Sequence, residues 1–238
     1  MTAPAPPTAG CPAAGVRPVP RIVIRTGQRI VRGPLRITPD GLSYPDPRPD
    51  DRDEDGFLWA RVEGEASGPP DYAVPHPRRQ RAAMENPLRL LCQISMGPAT
   101  TTPNGVLWIV PRPRGTAADP LRPRWPAGRT IEPPVCAAHA PSAARWCPPL
   151  RERGYVALLV RRAPLVAVRG TLYRPLPDGR VERTRGAHFE LDQDADSQLV
   201  DSRFLLADHL VRDLEDVTEV DLRDPELYRD AAPCDAGH

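Results

Sequence analysis

Two short motifs carry metal-ligand chemistry: Cys92-x2-Ser95 and, 44 positions later, Cys136-x2-His139. A C-x2-C turn facing a second x2 pair at a helix start presents four soft or borderline donors to zinc as a tetrahedron. Cys92, Cys136 and His139 supply three of them. Ser95 stands at the fourth place, and a neutral hydroxyl is a poorer donor than a thiolate. Cys147 lies 11 residues past Cys136, about 16 Å along a helix axis, too far to fill in. His76 or a water completes the shell only if the fold brings it round. Two readings follow: a zinc centre on these three residues, or a former one whose thiols are now small buried apolar groups.

Positioning such donors requires a knuckle, a strand and a helix, the treble-clef plan. Residues 90–97 read as the knuckle, with Gly97 expected to supply the positive φ of a tight turn. Asn104-Gly105 introduces an apolar run at 106–110 that reads as a strand. Pro133-Pro134 stops the chain before Val135-Cys136, and the Ala-rich residues 137–146 read as a helix. The fold class expected is α+β: short antiparallel strands with few helices around a treble-clef-like centre, with or without metal, joined by Pro-rich loops.

The 238 residues suffice for one domain or two small ones, and 33 prolines predict short elements and long ordered loops. Residues 1–20 read as a Pro/Ala-rich leader, 21–75 as a β-rich module, 76–151 as the treble-clef-like module, 152–223 as a β-hairpin with a C-terminal helix, and 224–238 as a polar tail. Five unevenly spaced cysteines do not form a secreted disulfide framework. Residues 1–20 lack the pattern of a signal peptide, and no apolar segment is long enough to span a bilayer. These features predict a cytoplasmic protein with no membrane partner.

All 32 basic residues are arginine, and the near-zero net charge hides an asymmetry. Residues 1–187 hold 28 Arg against 16 acids, whereas residues 188–238 hold 4 Arg against 15. This pattern fits a polyanion partner for the basic part. It fits equally an acidic segment packed on the basic body, within one molecule or between copies in a homo-oligomer. The candidate nucleic-acid contacts are Arg21, Arg25, Arg29 and Arg32, which alternate with β-branched residues, and Arg78, Arg79 and Arg81 in the first turns of a helical stretch at 77–91 broken at Asn86-Pro87. A charge-protected sheet edge explains the first group as well, and acidic neighbours explain the second.

Residues 51–56 superficially match the start of a calcium loop, but Val62 occupies the place of the bidentate Glu, so the acid-rich residues 46–55 are expected to be a solvated loop leading into a strand at 56–62. Gly56-Phe-Leu-Trp59 is echoed by Gly105-Val-Leu-Trp108, giving two similar β-modules whose tryptophans belong in the core. Residues 155–160 and 165–173 read as strands joined into a hairpin by the 161–164 link. Apolar residues at 204, 205, 206, 210, 211 and 214 match a helical stripe, with a last strand at 217–222.

The strings DGLSY (40–44), DRDEDGFLWAR (51–61), RQRAAM (79–84), LCQ (91–93), GVLW (105–108) and EPPVC (132–136) resemble a family of uncharacterised actinobacterial proteins over residues 40–222. The resemblance implies a knuckle of C-x2-C paired with C-x2-C or C-x2-H. Cys92, Cys136 and His139 match it and Ser95 departs from it. It implies no activity. Enzyme motifs are lacking: there is no histidine between Cys92 and Cys136 for a His-metal nuclease, no phosphate loop and no nucleophile elbow. His188-x-Glu190 lies on the wrong side of Cys136 for a zinc deaminase, leaving only a conceivable acid/base pair. The expected function is a non-catalytic, nucleic-acid-binding regulatory or accessory protein on a zinc or ex-zinc scaffold. The alternatives are a protein-interaction or self-assembling accessory that uses an acidic surface, and an enzyme with an unrecognised site.

Overall fold

A computed structural model describes residues 19–112, 128–177, 180–191 and 201–229. Cys11, Cys234, most of the expected leader and most of the expected tail lie outside them. The first strands are short: β1 (Val23–Arg25), β2 (Arg29–Val31), β3 (Arg36–Thr38), β4 (Gly41–Ser43), β5 (Leu58–Trp59), β6 (Arg61–Glu63) and β7 (Pro70–Pro75). Helix α1 (Pro77–Met84) follows, then the hairpin β8 (Thr101–Thr102) and β9 (Gly105–Pro111), and β10 (Gly128–Thr130). Two short helices, α2 (Ala140–Trp146) and α3 (Pro148–Arg153), precede the long strands β11 (Tyr155–Arg162), β12 (Leu165–Pro175), β13 (Val181–Glu190) and β14 (Leu205–Val220). The described fold is strand-rich and mixed, mostly antiparallel, with few helices, as expected. Sheets pair β1 with β7, β2 with β6 and β3 with β4, and the main sheet runs β13-β12-β14-β11-β9-β8.

The expected C-terminal helix is not formed. Residues 205–220 are one strand, β14, at the centre of the main sheet. Leu205 and Ala207 pack into one cluster with Trp59 and Met84, whereas Leu206 packs on the opposite face with Leu42 and Tyr44. A strand covered on both faces is apolar continuously, so the alternation that marks a half-buried strand is missing, and the spacing mimicked a helical stripe by coincidence.

Nor do the two strands at 155–173 form a hairpin. Leu159 pairs with Thr218, Arg162 with Glu215, Leu165 with Arg212 and Leu172 with Leu205, all on β14. The register carries straight through the link, where the Pro164 carbonyl accepts from Asp213 N–H at 3.1 Å. Residues 155–175 are therefore one bent strand in two parts. Arg161-Arg-Ala-Pro164 contains neither the Gly nor the Asn that a tight reversal needs, and a proline at a bend removes only one donor from the ladder.

Helix α1 is docked on this ladder by polar groups with no exposure. Gln80 donates to the Leu210 carbonyl at 2.9 Å and to the Ile131 carbonyl at 2.8 Å, and accepts from Leu210 N–H at 2.9 Å. Arg212, 1 % exposed, reaches from β14 to the Met84 and Glu85 carbonyls at the C-terminus of α1. Those carbonyls have no partner within the helix and sit at the negative end of its dipole. Burial lowers the Arg212 pKa to about 10, so it remains charged.

The expected solvated loop at 46–55 is in part buried. Asp51, 3 % exposed, holds Arg61 through two bonds, at 2.7 and 2.5 Å, and Asp46 adds a third at 2.9 Å. Burial alone would raise the Asp51 pKa, but the Arg61 guanidinium and the Arg48 N–H outweigh it and hold the carboxyl below its usual range. A depressed folded pKa contributes stability above the unfolded value and loses it as pH falls through the folded one. Asp51→Ala leaves Arg61 with only the exposed Asp46 as a partner and is expected to cost about 3 kcal/mol at pH 7. In urea unfolding, that difference should shrink below about pH 4.

Candidate metal centre

The two distant motifs meet. Cys92, Cys136 and His139 are buried, and their ligand atoms lie within 4.8 Å of one another. His139 Nδ1 is 3.0 Å from Cys136 Sγ and 3.9 Å from Cys92 Sγ. Donors around one zinc at 2.0–2.3 Å would be roughly 3.5–3.8 Å apart, so this triangle fits a tetrahedral ion with small adjustments.

The backbone explains the convergence. Cys92 N–H donates to the Gly97 carbonyl at 2.7 Å and Met96 N–H to the Cys92 carbonyl at 2.8 Å, closing a knuckle. The positive φ expected at Gly97 falls instead on Met96, at 60°. Gln93 N–H donates to the Pro134 carbonyl at 2.9 Å, and its side-chain amide to the Pro133 carbonyl at 3.0 Å. Val135 N–H donates to Leu107 on β9 at 2.9 Å, and Ala137 N–H to Thr100 Oγ at 2.8 Å. The prolines that remove donors thus leave carbonyls free to clamp the knuckle. Cys136 caps the turn into α2, its carbonyl accepting from His139 and Ala140 N–H at 3.0 Å each, which places His139 at the helix start.

The Cys92 thiol lies well below its usual pKa. Cys136 is the main cause, with His139 and the Ser95 backbone N–H assisting against the opposing effect of burial. A thiolate-prone cysteine beside a second thiol and an imidazole is a soft donor set suited to zinc.

The fourth position is occupied by no strong ligand among the described residues. Ser95 is half-buried, with its Oγ accepting from Gly97 N–H at 3.3 Å. Cys147 ends α2 outside the cluster, and burial raises its thiol pKa. His76 is likewise outside it, at the start of α1, where burial pulls its pKa down to about 4.

The candidate nucleic-acid residues do not share one sheet, since β1 and β2 pair with different strands. Arg29 pairs with Glu63, Arg78 with Asp50 and Asp51, and Arg81 with Glu85. Arg25 donates to the Gly68 carbonyl and Arg79 to the Arg21 carbonyl. Arg21 and Arg32 are exposed. Glu190 is held by Arg129 at 2.6 Å. Sequence reasoning missed the buried Asp51–Arg61 pair, the role of Arg212 and the enclosed carboxyl of Glu132; no motif marks any of them.

No protein-family model, no curated protein and no solved structure matches this chain.

Replacing the weak donor tests the centre. Ser95→Cys is expected to tighten zinc binding about tenfold or more by adding a second knuckle thiolate, as read by competition with a chromophoric chelator. No gain would mean that position 95 does not face the ion.

Proposed function

We propose that the protein is a non-catalytic zinc-binding protein, built on a treble-clef-like centre in which Cys92, Cys136 and His139 hold a structural zinc and Ser95 or a water takes the fourth place. The observation that carries this reading is the convergence of the two motifs within 4.8 Å. Burial separates a structural role from a catalytic one: Cys92, Cys136 and His139 are 0, 5 and 7 % exposed, whereas a catalytic zinc keeps a position open to substrate. The ion would tie the knuckle to α2 within an apolar cluster of β9, β11 and both short helices. Removal of zinc with a chelator is expected to lower Tm by about 5–10 °C for an ion bound well above its Kd. His139→Ala should unfold at the chelated temperature with or without zinc. An unchanged Tm on chelation of zinc-loaded protein would contradict the structural role.

Exposed arginines favour a nucleic-acid-binding accessory role as a second reading. Arg169 on β12 and Arg183 and Arg185 on the edge strand β13 are exposed and have no carboxylate partner among the described residues. Such a surface would contact phosphates without reading sequence. Binding to duplex or single-stranded DNA should weaken linearly in log salt, and Arg183→Ala with Arg185→Ala should reduce the slope by about two. Unaltered binding in the double variant would remove this reading.

A further inference from the structure

Next to the knuckle, whose Gln93 and Ile94 help line it, β1 and β9 form a wall and α2 and α3 a roof around a cavity of about 80 Å³, within about 770 Å³ of unoccupied space that opens to solvent. Its lining is mostly apolar, with Ile22, Ile109 and five prolines on the walls and Tyr72 and Trp146 beside them, while Gln93 and Ser142 add an amide and a hydroxyl. Among the described residues, Glu132 is the one acid in its lining, and no arginine is there.

The position of Glu132 is fixed by its backbone. Its carbonyl accepts from Trp108 Nε1 at 2.9 Å and its N–H donates to Thr130 Oγ at 2.9 Å. Its carboxyl receives no hydrogen bond and no ion pair among the described residues. Burial pushes its pKa up, with only the opposing influence of His209. A half-buried carboxyl without a partner is costly, and Asp51 and Glu190, the other buried or half-buried acids described above, each have a donor, Arg61 and Arg129.

We propose that this cavity binds a small apolar cation, an alkylammonium, with Glu132 as the counter-charge and the surrounding apolar walls taking the alkyl chain. One carboxylate among apolar walls does not satisfy calcium or magnesium, which require six or more oxygens including waters. An anion would meet a carboxyl and, among the described residues, no arginine. A neutral hydrocarbon would fill the walls but leave the carboxyl as it is. The enclosed volume also limits size: a dry cavity of about 150 Å³ accepts benzene, so the deep part admits a chain of a few carbon atoms while bulk extends toward the mouth. Concave apolar sites with few placed polar groups are the usual form of small-ligand pockets. The site uses none of the three metal donors, although Gln93 and Ile94 of the knuckle help line it.

The test compares three probes of similar length, butylammonium, butanol and butyrate, on the purified protein. Binding is read by calorimetry and by protection of Cys147, a free thiol lining the cavity, from alkylation as followed by peptide mass spectrometry. The expected result is that butylammonium binds at least tenfold tighter than butanol, that butyrate does not bind, and that butylammonium slows alkylation at Cys147. Glu132→Gln leaves both backbone hydrogen bonds in place and should abolish the preference for the amine over the alcohol. Equal binding of amine and alcohol to the unmodified protein would overturn the proposal, as would a preference that survives in Glu132→Gln or an absence of protection at Cys147.

Discussion

The antiparallel ladder between residues 157–172 and 205–220 is the constraint on which the rest of the structure depends. It runs from Ala157 opposite Val220 to Leu172 opposite Leu205. Its two parts each add a further strand on the side away from β14, β13 beside β12 and β9 beside β11. Because β9 pairs with β11 residue for residue from Tyr155 opposite Pro111 to Val160 opposite Val106, the hairpin that follows the knuckle is fixed by the ladder. Gly105 at that hairpin has a φ of 123°, and any side chain there would meet the Val160 carbonyl. A slip of one residue would turn every apolar side chain to the wrong face. Here both faces are buried, so no register but the observed one fills both sets of clusters.

The same ladder answers the charge asymmetry. Acids of β14 pair within the chain: Asp213 with Arg129, Glu215 and Asp216 with Arg162, and Glu219 with Arg112. These acids of β14 thus sit in the interior of a sheet whose neighbours supply the arginines. Individually such exposed pairs contribute little.

Legibility in the sequence followed the range of the interaction involved. The ligand set was readable because x2 spacing is a local property of turns, and the strand at 106–110 was readable from Asn104-Gly105 and an apolar run. The break after α1 was readable from Asn86-Pro87. Trp59 and Trp108, expected in the core, have no exposed surface. What failed depended on partners far along the chain. Residues 205–214 gave a helical pattern because two-sided burial erases alternation. Residues 161–164 looked like a reversal because nothing local shows that β14 would lie alongside both halves. Asp51 looked solvated because its partner, Arg61, lies across a turn. Glu132 was read only as the residue before two prolines, and its enclosure depends on α2 and α3 folding over it.

Zinc in this account is a clasp between two segments that backbone hydrogen bonds already bring together, with Gln93 reaching the Pro133 and Pro134 carbonyls. The metal would therefore stiffen a preformed arrangement. The most direct measurement is X-ray absorption at the zinc edge on protein loaded with one equivalent of the metal. The account predicts a four-coordinate shell with two sulfurs at about 2.3 Å and two nitrogen or oxygen atoms at about 2.0–2.1 Å. A shell of nitrogen and oxygen alone, or one containing a single sulfur, would contradict it.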